Sequence, residues 1–125
     1  MLILISDAFD ESLPKVLSKY GEVTLDKKRL PEAEIVLVRS KTKATKEYLD
    51  QAQKLKMIIR GGVGLDNIDV EYAEKKGIKV FNTADASTTA VAELAFALMI
   101  ALPNHLVAAH NSMKQGQWLK KELKG

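Results

Sequence analysis

Two arginines and a cluster of glycines carry the most chemistry in this sequence. Arg39 follows the apolar run "EIVLV", and Arg60 follows "KMII". Directly after Arg60 the chain reads Gly61-Gly62-Val63-Gly64. A glycine has no Cβ, so successive backbone N–H groups in such a turn can face a ligand. A guanidinium forks onto two oxygens at once. Together these groups suit a carboxylate or a phosphate. Ser40 follows Arg39, and Asn82 ends a further apolar run, so both stand at comparable positions and are candidates for the same site. A plainer reading stays open here: the glycines make a tight turn and the arginines pair with acids.

Other chemistries fit less well. A dinucleotide turn reads G-x-G-x-x-G, opens a helix, and has an acid about 20 residues on. Here Gly62-x-Gly64 is followed by Asn67 where the third glycine belongs, and residues 65–68 intervene before Asp69, the cap of the helix that follows. Asn82 and Asp85 fall at roughly the required distance, which does not replace the missing glycine. A phosphoacceptor site needs clustered acids and a lysine at the strand ends, where this chain has Arg39-Ser40 and Asn82. A flavin phosphate loop needs a Ser/Thr/Gly-rich turn, which "SDAFDES" is not. His105 and His110 have no matching acids near them, so no metal site is expected. The chain has no cysteine, which excludes disulfides and thiolate chemistry.

The elements that must hold these residues follow from hydropathy. Short apolar runs alternate with helix-like segments: strands near 2–6, 22–25, 34–40, 56–60 and 78–82, and helices near 11–20, 45–53 and 69–76. Ser12, Thr45 and Asp69 are candidate caps, Pro14 sits in a first turn, and Gly21 and Gly77 are stops. Pro31 is placed in a loop. Strands apolar on both faces predict a parallel sheet covered by helices on both sides. The expected fold is α/β, a flavodoxin-like or Rossmann-like three-layer domain over residues 1–101, followed by a helical arm over 102–125. In such sheets ligands bind beyond the carboxyl ends of the strands. Asp7, Arg39-Ser40, Arg60 with its glycines, and Asn82-Thr83 all lie there.

Composition limits the partners. With 19 basic and 16 acidic residues the net charge is +3, and the lysines are scattered without interleaved aromatics, so nucleic acid is not an expected partner. "MLILISDAFDE" lacks the basic start of a signal peptide, and cytoplasm is the expected compartment. The segment 90–102 is apolar nearly all round. Its 13 residues fall short of the roughly 20 that span a bilayer, so no membrane partner is expected. An apolar helix without a polar stripe expects cover on both faces, which predicts a homodimer through residues 90–118.

The stretch "RGGVGLDNIDVEYAEKKGIKVFNTADASTTAVAELAFALMIAL" closely resembles the D-2-hydroxyacid dehydrogenases. The similar elements are the strand-end arginine, the G-x-G-L-D-N-I-D turn, the helix ending K-G-I, the strand V-F-N-T and the A-E-L helix. "VRSKTKAT" and "MKQGQWLKKELKG" resemble flanking segments of the same family. The resemblance implies a substrate-binding domain. By it, Arg39 and Arg60 would hold an anionic 2-hydroxy or 2-keto acid, the amides of Gly62, Val63 and Gly64 would receive its carboxylate, and Val63 would also lie near the nicotinamide of NAD. Asn82 would line the cleft, and Trp118 would sit in a segment that reaches a partner subunit. The sequence ends at Gly125, before the family's dinucleotide domain and its catalytic arginine, glutamate and histidine. No catalytic residue and no bound cofactor are therefore expected here, and the isolated chain is expected to be inactive. The alternative is a free-standing anion-binding or interaction module on the same fold.

Overall fold

The structure is a computed structural model that describes residues 1–125. Five short strands form one sheet: β1 (Leu2–Ile5), β2 (Glu22–Thr24), β3 (Ile35–Val38), β4 (Met57–Arg60) and β5 (Lys79–Asn82). They lie in the order β2-β1-β3-β4-β5, and every neighbouring pair is parallel. This is the flavodoxin-like order. The connecting helices are α1 (Leu13–Leu17), α2 (Lys46–Gln51) and α3 (Val70–Lys75).

The double-faced hydropathy of the strands is used as expected. Leu4, Val36, Val38 and Ile58 cluster with Leu30, Leu49, Ala52 and Ala73 from the connections. The intervening positions Ile3, Ile5 and Leu37 are buried as well, and Met57 and Ile59 are half-buried. Each fully buried Leu, Ile or Val contributes about 1.5–3 kcal/mol by leaving water. These side chains fix the sheet, and the sheet fixes its carboxyl edge.

Several local expectations need correction. The first helix covers only Leu13–Leu17, and Ser12 makes no capping bond; its hydroxyl donates to Asp10 Oδ1 instead. Thr45 likewise turns its hydroxyl to Glu47. Pro31 lies inside a 3-10 helix, Lys27–Glu32, whose first turn is closed by Lys28 N donating to Asp26 Oδ1 at 3.0 Å. Arg29 ties this segment to Glu22 and Glu32. Asp69 caps α3 as expected, accepting from Tyr72 N at 3.0 Å.

The chain divides into two compact units, Met1–Ala86 and Ser87–Gly125. The second unit holds α4 (Thr88–Ala101), α5 (Leu106–Lys114) and the C-terminal segment. No residue of α4 is buried, and Phe96 and Met99 are 67% and 70% exposed. Pro103 falls in the break between α4 and α5, across which the axes bend by 68°. Trp118 is exposed and lines a recess of about 200 Å3 with Met113, Leu119 and Leu123. No single helix is long and apolar enough to cross a membrane.

Candidate active-site cleft

Sheet register brings the predicted residues to one edge. Val38 pairs with Arg60, and Arg60 pairs with Asn82. Arg39, Gly61 and Thr83, each one residue further on, therefore emerge side by side from β3, β4 and β5. The Arg60 side chain curls back over its own glycine turn. Its Nη1 stands 3.1 Å from the position a Cβ would take on Gly62 and 3.4 Å from that on Gly64. Gly62 also has φ +151, a conformation that side chains rarely adopt. Glycine at 62 thus serves both the backbone and the guanidinium above it. Arg60 Nε is buried without a hydrogen-bond partner. Neither Arg60 nor Arg39 forms an ion pair, which answers the plainer reading that these arginines serve acids.

The amides of the turn are divided. Gly61 N donates to Val38 O at 2.9 Å, and Gly62 N donates to Thr83 Oγ1 at 2.9 Å and to Arg60 O at 3.0 Å. These two N–H groups are turned into the protein. Those of Val63 and Gly64 make no hydrogen bond within it. The expected cradle of three amides is narrower than the glycine spacing suggests: Gly62 supplies the bend, and Val63 and Gly64 supply the open donors.

Asn82 sits beside the turn and braces it. Its Nδ2 donates to Val63 O at 2.7 Å. Thr83, which shares that strand end, completes the brace. Its hydroxyl accepts from Gly62 N, and its own N–H donates to Gly62 O at 3.1 Å. Holding both carbonyls from β5 aims the following amides outward.

Arg39 is organised by a different loop. Its backbone N–H donates to Asp7 Oδ2 at 2.7 Å, and its Nη1 donates to Ala8 O at 3.2 Å. Its guanidinium carbon stands 6.0 Å from the centroid of the Phe9 ring, within cation–π range. Asp7 also accepts from Thr42 N at 3.0 Å and Thr42 Oγ1 at 2.6 Å. Partial burial alone would raise the Asp7 carboxyl. The hydrogen bonds from Thr42 and Arg39, helped by the charge of Lys27, outweigh it and hold the group below the usual carboxylate range. Asn67 closes the same 39–42 turn from the other side, its Nδ2 donating at 2.7 Å to both Arg39 O and Thr42 O. Ser40 lines a recess of about 460 Å3 with Lys43, Thr45, Asp66, Asn67 and Asp69, and this recess borders the glycine turn, where Asp66 Oδ1 stands 2.8 Å from the position a Cβ would take on Gly64.

Sequence reasoning missed Phe9, Thr42 and Asn67. Asp7 and Thr83 were visible as strand-end residues. Nothing in the local pattern marked Phe9, because its contacts are with residues some thirty and fifty positions away.

The sequence profile of D-isomer specific 2-hydroxyacid dehydrogenases, catalytic domain, matches residues 3–120. The chain belongs to that family. Hydroxypyruvate reductase of Thermotoga maritima is 42% identical over 97% of this chain and 42% of its own length. D-3-phosphoglycerate dehydrogenase of Methanocaldococcus jannaschii is 45% identical over 98% of this chain and 25% of its own length. The chain therefore spans a quarter to about two fifths of the length of those relatives. Among solved structures, a D-lactate dehydrogenase from Aquifex aeolicus in complex with NAD and lactic acid superposes with a TM-score of 0.85 at 27% identity, covering 98% of this chain and 40% of that one.

NAD, the cofactor in that relative, does not fit the glycine turn as a pyrophosphate site. No helix begins at the turn: α3 starts at Val70, and the Asp69 carboxylate already caps it by accepting from Tyr72 N. A second anion there would meet a like charge. Nor does the chain contain a group of three or more His, Asp and Glu residues placed to hold a metal ion.

Proposed function

We propose that this chain is the substrate-anion-binding portion of an NAD-dependent D-2-hydroxyacid dehydrogenase, with D-3-phosphoglycerate dehydrogenase as the specific reading. The observation that carries it is the unpaired Arg60 guanidinium lying over a turn with two open amides. Such a site receives a carboxylate by charge and by hydrogen bonds together. The D-3-phosphoglycerate assignment is supported by identity to that enzyme and by Arg39 at the neighbouring strand end, which suits a second anionic group.

In this reading Arg60 and the N–H groups of Val63 and Gly64 bind and orient the 2-hydroxy acid. Asn82 and Thr83 keep the turn in shape, and the Val63 side chain, exposed at the turn, borders the nicotinamide face. NAD supplies hydride chemistry to the parent enzyme from residues other than these. The exposed apolar α4 supports a homodimer, since several large side chains in water would cost about 1.5–3 kcal/mol each.

The experiment is an NMR titration with 3-phosphoglycerate. A charge-assisted contact contributes about 1.5–3 kcal/mol, so half a cleft binds with a Kd on the order of millimolar. The amides of Val63 and Gly64 should shift on titration, and Arg60→Ala should abolish the shifts. Shifts confined to the lysine-bearing surfaces would refute the assignment.

A further inference from the structure

We propose that the loop after β1, Asp7-Ala8-Phe9, is the positioning element for the Arg39 guanidinium, and that it thereby sets selectivity for a second anionic group on the ligand. This rests on the substrate-anion reading above. The loop touches Arg39 in three independent ways: through the backbone N–H held by Asp7, through Nη1 held by Ala8 O, and through the ring face of Phe9. Nothing else in the protein engages that guanidinium. Of its five N–H donors one is used by Ala8 O, and the remainder are open.

Phe9 and the Arg39 stem also pack together on the first residue of the glycine turn. A Cβ on Gly61 would meet the Phe9 ring at 2.6 Å and Arg39 Cγ at 3.4 Å. Gly61 is therefore the floor on which the ring and the Arg39 stem rest together. The two cations are held by different parts of the chain: Arg60 lies over the open amides, and the Arg39 fork is held by the β1 loop. A single carboxylate on the Val63 and Gly64 amides is served by Arg60 alone. A ligand that also carries a phosphate or a second carboxylate uses Arg39, and its reach is fixed by where Phe9 and Ala8 hold the fork. Asp7 and Phe9 act on the ligand only through Arg39, so they are positioning residues.

The test compares two probes on the full chain by amide and arginine Nε–Hε NMR: D-glycerate, with one carboxylate, and 3-phosphoglycerate, with a carboxylate and a phosphate. The wild type should bind 3-phosphoglycerate more tightly. Phe9→Leu and Asp7→Asn should weaken 3-phosphoglycerate about three- to tenfold, toward the level of Arg39→Ala, and leave D-glycerate within about twofold. Phe9→Leu should also move the Arg39 Nε–Hε resonance, because the ring current is lost and the fork is released. Phe9 is only half-buried, so this variant decides the matter even where Asp7→Asn unfolds. Equal weakening of both probes, no weakening of either, or an unmoved Arg39 resonance would each overturn the proposal. Absence of any shift at Val63 and Gly64 in the wild type would instead bring down the anion site itself, and the positioning role with it.

Discussion

Gly62→Ala separates two jobs done by one glycine. With φ at +151, an alanine there is strained whatever space surrounds it. Backbone strain of this kind costs about 1–3 kcal/mol. The added Cβ would also stand 3.1 Å from Arg60 Nη1, too close by a few tenths of an ångström. That second contact is with the far end of a flexible side chain, so the guanidinium gives way at little energetic cost. Stability should therefore register the backbone, and binding should register the displaced arginine. At about 4 °C per kcal/mol for a chain of this size, the melting temperature should fall by about 4–12 °C. Because the loss comes from the backbone, it should be the same within about 0.5 kcal/mol when Arg60→Ala is already present. The affinity for 3-phosphoglycerate should drop in the single variant and change no further in the double one. Urea unfolding of the four proteins in this cycle, with NMR titration, measures both. A Gly62→Ala protein as stable as wild type, or a loss that vanishes in the Arg60→Ala background, would refute the reasoning.

Asp7 predicts a pH dependence. Its folded carboxyl lies below the usual range, so the stabilisation from its charged form is fully present above the unfolded value of about 3.9 and is lost as the pH falls through the lower folded value. The urea midpoints of wild type and Asp7→Asn should differ by a constant amount above about pH 5 and converge below about pH 4; parallel curves down to pH 2 would contradict this. Sedimentation equilibrium at micromolar concentration should give twice 13.8 kDa, and Leu98→Asp should dissociate or unfold the dimer; a folded monomer across that range would remove the homodimer. The chain alone should not oxidise NADH with a 2-keto acid, and turnover that follows the purified chain would show that reading to be wrong.

The sequence by itself determined the elements and the address of the site. Strand-length apolar runs with both parities hydrophobic require cover on both faces, and that dictates a parallel α/β sheet. Arg39, Arg60 and Asn82 each close such a run, so a parallel order alone places them at one edge, as the register of Val38, Arg60 and Asn82 shows. Asp69 as a cap and Pro103 as a break are equally local, because each depends only on the N–H groups within one helical turn. What the tertiary structure decided is the direction of the hydrogen bonds. Gly62 faces inward because Thr83, twenty-one residues away, offers its hydroxyl there. Asn82 braces the turn because Val63 O, in the loop after the neighbouring strand, lies within its reach. Arg39 is held by Asp7 and Asn67 across 32 and 28 positions of sequence. The 3-10 helix around Pro31 also escaped, since its segment has no hydrophobic period and is tied down by Arg29 reaching back to Glu22. Periodicity is a property of near neighbours along the chain and survives in the sequence. Which donor meets which acceptor depends on strand order and register, and exists only once the sheet has formed.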